Sequence, residues 1–191
     1  AAVDAIRQKF RSPILLAVGR FVYYKGFEFL IRAMAASATQ GTLVIIGEGP
    51  LHDNLRQEIE QLGLGDRVHM IGNVPDAQPY FQACDIFCMP SVERSEQFGL
   101  VQLEAMACSK PVISTRLGTG VEYVTLDGVT GLLVAPKDAG ALAHALRVLL
   151  GDRELRFRLG VAGRQRVEQA FSIKQMVDKT VDVYHRVAGA H

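Results

Sequence analysis

Two carboxylates, Glu96 and Glu104, bracket the run Gln97-Phe98-Gly99-Leu100-Val101-Gln102-Leu103. A helix starting near Gly99 leaves Glu96 in the loop at the helix's positive end and carries Glu104 inside, among Leu103, Ala105 and Met106. At 1.5 Å of rise per residue the two groups stand on the order of 12 Å apart, too far to share one reacting centre as a glycosidase pair does. They suit opposite ends of one ligand, each accepting hydrogen bonds from vicinal hydroxyls, as a hexose at one end and a ribose at the other would offer. Taken singly, each has a plainer reading: Glu96 as a helix cap and Glu104 as the partner of a neighbouring cation.

A second cluster is Gly19-Arg20 followed by Lys25-Gly26. Glycine permits a tight turn after a strand, and the two cations stand beside the start of the next helix, whose free N–H groups already favour anions. A diphosphate would satisfy all of them. On position alone, Arg20 and Lys25 read first as exposed loop cations. Joined to the two glutamates, they describe a ligand with phosphates in the middle and hydroxyls at both ends, which is a nucleotide sugar. A third loop, Gly47-Glu48-Gly49-Pro50, precedes a helix and places Pro50 in its first turn. It is not a dinucleotide fingerprint, because the third glycine would fall at His52, and Gly118 with Gly120 fail likewise at Tyr123.

The elements that must position these loops recur regularly. Short apolar runs over 13–19, 42–47, 67–72, 85–90, 111–115 and 131–134 read as buried strands. Helical periodicity fills the gaps, as in Phe27, Leu30, Ile31 and Met34, or Leu51, Leu55, Ile59 and Leu62. Repeated strand, helix, strand units with right-handed crossovers predict an α/β fold: a Rossmann-like, doubly wound parallel sheet of six strands, with ligands at the carboxyl ends of the strands. The chain enters at the first strand, and beyond Val134 only helices follow, over 139–150, 153–170 and 172–187.

The 191 residues, 49% of them hydrophobic, suffice for one substantial core and read as a single domain over 1–191. Lys plus Arg number 21 against 20 Asp plus Glu, which leaves no charge excess for nucleic acid or an anionic membrane, so any anion site is local. Cys84, Cys88 and Cys108 lie in apolar stretches without metal spacing and read as reduced thiols in a cytoplasmic protein. No apolar run approaches a membrane span.

In this fixed order, Gly19-Arg20 with Lys25-Gly26, Gly47-Glu48-Gly49-Pro50 and Glu96 separated by seven residues from Glu104 resemble the group 1 (family four) retaining glycosyltransferases. Gly118-Thr119-Gly120-Val121-Glu122, Asp127-Gly128 and Thr130-Gly131-Leu132-Leu133-Val134 extend the match over nearly the whole chain. The resemblance implies one half of a GT-B fold, the C-terminal donor domain, with the acceptor bound by a separate N-terminal domain. It implies that Arg20 and Lys25 bind the donor diphosphate and, with Glu96 on the transferred sugar, form the catalytic set. Gly19 would line the donor site, the N–H groups of Phe98, Gly99 and Leu100 would reach the sugar and distal phosphate, Glu104 would hold the ribose, and Gly72-Asn73-Val74 would lie against the base. It implies retention of configuration without a metal or other cofactor, the donor being GDP- or UDP-linked.

The stretch from Gly19 to Gly26 and the Arg94-Ser95-Glu96 variant look most like bacterial mannosyl- or rhamnosyl-transferases of surface polysaccharides, which implies a glycan or lipid-linked acceptor. A peripheral association of the full-length enzyme with the inner face of the membrane fits the same resemblance. Another enzyme on this fold, such as a sugar-nucleotide epimerase, or a non-catalytic nucleotide-sugar-binding module, are the alternatives. Glu93 competes with Glu96, since many relatives place the first glutamate closer to Pro90-Ser91; the offsets to Phe98-Gly99 and Glu104 favour Glu96.

The remaining candidates read as structural. His52, His69, His144, His185 and His191 lack ligand spacing, and Met34, Met70, Met89, Met106 and Met176 read as core filler. Tyr23 and Tyr24 read as aromatics packed on their own domain. The last helix, within 170–191, carries Met176, Val177, Thr180, Val181, Tyr184 and Val187 on one stripe; the resemblance implies that it crosses toward the N-terminal domain, so the stripe is expected to be partly unsupported here or to contact a neighbouring molecule.

Overall fold

The computed structural model describes residues 2–36 and 41–188; His191 and the last residues of the 170–191 segment lie outside them. Six parallel strands run β1 (Ile14–Val18), β2 (Thr42–Ile46), β3 (Val68–Ile71), β4 (Ile86–Met89), β5 (Val112–Thr115) and β6 (Gly131–Val134), in the sheet order β3-β2-β1-β4-β5-β6. The helices are α1 (Ala2–Lys9), α2 (Phe27–Ala36), α3 (His52–Gln61), α4 (Gln78–Ala83), α5 (Leu100–Ala107), α6 (Gly120–Val124), α7 (Ala139–Gly151), α8 (Arg153–Ala170) and α9 (Ile173–Ala188).

Side chains alternate across each strand, so the sheet feeds two cores. Leu15, Ala17, Leu43, Ile45, Ile86 and Cys88 meet the buried faces of α2, α3 and α7 on one side. Ile14, Leu16, Val44, Ile46, Phe87 and Met89 meet α1, α4, α5 and α6 on the other. This two-sided burial is what continuous apolar strands require in a doubly wound sheet. The stripe Phe27, Leu30, Ile31 and Met34 on α2 is buried throughout, and each such side chain contributes roughly 2 kcal/mol of transfer free energy before entropy is counted.

Four expectations are corrected. An eight-residue helix, α1, precedes the first strand, its apolar face reduced to Val3 and Ile6 with Phe10 just beyond, too sparse to show as a period. Leu62 lies past the end of α3 and is exposed. Helix α3 starts at His52, so Pro50 sits in the turn before it rather than in its first turn. Met176 is 62% exposed on α9, so it fills no core.

The sheet order reverses direction between β1 and β4. Chain leaving β1 winds toward β2, and chain leaving β4 winds toward β5, so the loops after these two strands part and open a crevice at their carboxyl ends. The loop after β1 carries Gly19, Arg20 and the 3-10 turn Tyr23–Lys25, and the loop after β4 carries Ser91 to Gly99.

At the far end, Asp138 and Asp152 cap α7 and α8 by accepting the N–H groups of Ala141 and Leu155 at 2.8 Å each. Helix α9 then departs from the body. Ile173, Met176, Val177, Val181, Tyr184 and Val187 are all exposed, and α9 has no buried residue. The stripe therefore gains no burial from the chain's own sheet.

Candidate functional site

Lys25 and Glu96 meet across the crevice. The 3-10 turn brings Lys25 over the end of β1, where a Cβ on Gly19 would meet its Cε at 3.3 Å. Its Nζ lies 2.5 Å from Glu96 Oε2, both side chains being nearly buried. Ser91 Oγ, fully buried, donates to the same oxygen at 3.0 Å. The Ser91 carbonyl in turn accepts the hydroxyl of buried Thr115. Glu96 Oε2 therefore holds two donors, while Oε1 has no protein partner among the described residues. Glu93, the competing carboxylate, pairs instead with Lys137 at 2.7 Å on the exposed rim.

Thr119 Oγ1 donates to the Glu96 carbonyl at 2.9 Å and the Gly120 N–H to the Gln97 carbonyl at 2.8 Å, so the Gly118 to Gly120 loop braces the Glu96 loop from the β5 side. The chain then turns at Gly99, φ 69°, into α5. A Cβ there would lie 2.6 Å from Met89 Sδ and 2.7 Å from Gln102 Nε2, so the turn closes on buried atoms and only glycine fits. No side chain caps α5, and among the described residues the N–H groups of Phe98, Gly99 and Leu100 donate to nothing.

Beside this pair opens a hollow of about 610 Å³ lined by Gly19, Arg20, Gly47, Glu48, Asn73 and Val74, among others. Arg20 is exposed there, and among the described residues its guanidinium makes no ion pair or hydrogen bond. The floor is backbone against backbone: a Cβ at Gly47, φ 146°, would lie 2.0 Å from the Gly19 carbonyl oxygen. Glu48 Oε1 accepts the Asn73 N–H at 3.4 Å. A second hollow of about 360 Å³, sharing Ala77 with the first, is bordered by Glu104, Asp76, Phe81 and Cys108. Glu104 is exposed and, among the described residues, has no cation partner; partial loss of hydration pushes its pKa up. Burial pushes the Cys84 thiol up to about 12 and that of Cys88 higher still, so neither thiol is a nucleophile.

The fold thus gathers Gly19, Arg20, Asn73 and Val74 at one hollow and Glu104 at the adjoining one, and it joins Lys25 to Glu96 on the loops at the switch point. Gly72 lies beside Glu48 just outside the first hollow, and Phe98, Gly99 and Leu100 form the turn into α5. Glu48, Ser91, Thr115, Gln102 and Thr125 were not singled out in the sequence. Glu48, Ser91 and Gln102 sat within quoted runs without a role assigned to them, and Thr115 and Thr125 carry no local signal, because these roles depend on partners distant in the chain. Tyr23 is 65% exposed rather than packed, and Lys25 Nζ lies over the ring of Tyr24 at 5.5 Å. His52 stacks on Phe21, and His69 meets the Phe10 ring at a tilt of 44°. Among the described residues no cluster of His, Cys, Asp or Glu could hold a metal ion, and no helix is long and apolar enough to cross a membrane.

Residues 3–166 match the model of the family described as glycosyl transferases group 1. The chain is 36% identical over 180 residues to O-antigen chain mannosyltransferase C of Escherichia coli, covering 93% of this chain and 48% of that protein. Among solved structures, HepE of Anabaena in complex with UDP superposes with a TM-score of 0.87 at 27% identity, covering 95% of this chain and 52% of that one. The C-terminal domain of a group 1 family protein, LpcC of Francisella tularensis, gives a TM-score of 0.77 at 30% identity, covering 87% of this chain and 90% of that one. The chain spans about half the length of the curated relatives it matches.

Proposed function

Because the chain belongs to the group 1 glycosyl transferases, we propose that it is the domain that holds the nucleotide-sugar donor for a retaining, metal-independent hexosyl transfer to a glycan or lipid-linked acceptor. The observation that carries this reading is the Lys25–Glu96 pair, which bridges the loops at the switch point beside the hollow of Gly19 and Arg20. A cation and a carboxylate held this way suit the two halves of one donor. The ammonium, with the unpartnered Arg20 guanidinium, faces the diphosphate, and Glu96 Oε1 is left to accept a sugar hydroxyl.

In the transfer, the bond from the sugar's anomeric carbon to the distal phosphate oxygen breaks, and its electron pair stays on the phosphate. The acceptor hydroxyl oxygen bonds to the same face of that carbon, and its proton passes to the departing phosphate. Lys25 and Arg20 stabilise the charge that grows on the leaving diphosphate, the part a metal ion plays elsewhere. Glu104, with no cation partner among the described residues, takes the ribose hydroxyls, and Asn73 and Val74 lie along the base. The acceptor and the rest of the cleft belong to a partner domain, toward which α9 carries its apolar stripe.

Calorimetric titration of the chain with GDP, UDP, ADP and their sugar conjugates, first without metal and then with magnesium, tests the reading. Selective binding of one diphosphate without metal is expected and names the donor base. Binding of none of them, or binding only with magnesium, sinks it.

A further inference from the structure

We infer that Gln102, held in place by Thr125, is a positioning residue that fixes the turn at Phe98-Gly99 and so aims the N–H groups of Gly99 and Leu100 at the distal phosphate of a bound nucleoside diphosphate. The inference rests on the donor reading above. Gln102 and Thr125 have no accessible surface and lie within the apolar layer beneath α5 and α6. An apolar side chain would serve burial better there, since a buried amide costs free energy unless its polar ends are met. Both ends are met. Gln102 Nε2 donates to the Phe98 carbonyl at 3.1 Å, and its Oε1 accepts the Thr125 hydroxyl at 2.8 Å.

The backbone of the same residue completes the hold, the Gln102 N–H donating to the Gly99 carbonyl at 2.9 Å. One residue therefore pins two successive carbonyls. In a planar trans peptide the C=O and the following N–H point in opposite directions. Drawing the carbonyls of Phe98 and Gly99 inward onto Gln102 turns the N–H groups of Gly99 and Leu100 outward, at the uncapped start of α5 where the helix end favours an anion. Without the side chain's grip, the Phe98-Gly99 peptide is free to rotate, and the Gly99 N–H goes with it. Glycine is the residue most able to make that rotation, so the glycine that closes the turn also needs the clamp.

The test is calorimetric titration of Gln102→Met, Thr125→Val and Thr125→Ser chains, alongside the unaltered chain, with UMP and UDP and with GMP and GDP. Base, ribose and proximal phosphate are common to mono- and diphosphate, so the ratio of the two affinities isolates the distal phosphate. Gln102→Met keeps the length and burial of the side chain and removes both polar ends. It is expected to weaken diphosphate binding about tenfold while leaving monophosphate binding unchanged, the size expected for lost hydrogen bonds to a charged group. Thr125→Val, which leaves the Gln102 amide without its anchor, should shift the ratio the same way by a smaller factor, and Thr125→Ser, which keeps the hydroxyl, should restore it. An unchanged ratio in both Gln102→Met and Thr125→Val overturns the inference while leaving the donor reading standing. So does an equal loss of both ligands, which marks a purely structural role. Failure of the unaltered chain to bind any of the four nucleotides overturns the donor reading and this inference together.

Discussion

Glu96 Oε2 accepts from Lys25 Nζ at 2.5 Å and from Ser91 Oγ at 3.0 Å, so the one carboxylate joins the loop after β1 to the loop after β4 at the point where the sheet reverses. The pair does two jobs, aligning the ammonium and closing the crevice floor, and substitution should separate them. In the full-length enzyme Lys25→Ala is expected to lower kcat on the order of a hundredfold with a much smaller change in donor affinity, because the charge it stabilises grows only as the diphosphate departs. Equal losses in kcat/KM and in donor Kd would assign Lys25 to ground-state binding. The same substitution leaves the Glu96 carboxylate nearly buried beside Ser91 without its cation, so a fall in Tm is expected as well.

Glu104 is predicted to weaken the free domain that it equips for binding. Partial loss of hydration raises its pKa, with no cation among the described residues to offset the cost. Above that raised value the carboxylate is charged in the folded and unfolded chain alike, and the fold bears the full penalty. As pH falls through the raised value the folded chain takes up its proton first, and the penalty is gone once pH lies below the ordinary carboxylate value. Glu104→Gln should therefore raise Tm at neutral pH, by an amount that shrinks and vanishes as the pH of the melt is lowered. It should also weaken nucleoside diphosphate binding by about tenfold if the carboxylate holds the ribose. A variant that binds the diphosphate as well as the unaltered chain removes the ribose assignment.

How far the sequence reached is clear from these two glutamates. Glu96 and Glu104 were legible because the helix between them has a fixed rise and the loop before it a distinctive Phe98-Gly99. The six strands were legible because a doubly wound sheet buries both faces and leaves unbroken apolar runs such as Leu15 to Val18 and Leu43 to Ile46. The Lys25–Glu96 bond was not legible. In sequence Lys25 belongs to the helix that follows it, and only the reversal of strand order between β1 and β4 brings the second loop to it. Gln102 and Thr125 were hidden for the same reason, one looking like a stray polar residue in an apolar helix and the other like the end of a short turn until they are placed 2.8 Å apart. Short helices such as α4 and α6 escaped because five or six residues complete no period.

Gly47→Ala should be among the most damaging single-methyl additions in the chain. The added carbon would sit 2.0 Å from the carbonyl oxygen of Gly19, and the backbone at φ 146° disfavours any side chain. Neither atom can yield, since both belong to the strand ends that form the floor of the first hollow, where the Gly19 N–H donates to Ile46. A loss of about 2 kcal/mol or more is expected, read as a fall in Tm on the order of 5 °C for a domain of this size. Nucleotide affinity should fall too, because the Gly19-Arg20 turn must move to admit the methyl. A melt within about 1 °C of the unaltered chain would show that the two loops are not held against each other as described.

Deleting residues 173–191 should leave the rest of the domain standing. Helix α9 buries none of its side chains: Ile173 is 79% exposed and Tyr184 69%, whereas Leu159 on the preceding α8 is fully buried. Stability follows buried apolar surface, so the shortened chain is expected to melt cooperatively within about 2 °C of the intact one. Cutting instead before α8 would strip Leu159 from the core and Arg166 from the Tyr123 and Val124 carbonyls. If loss of α9 alone lowers Tm by much more than that, the helix packs on its own domain, and the proposal that its stripe serves the partner domain falls. If Tm holds and the domain still binds nucleoside diphosphate, then the donor site owes nothing to α9, and the stripe of Met176, Val177, Val181 and Tyr184 is left for a surface outside this chain.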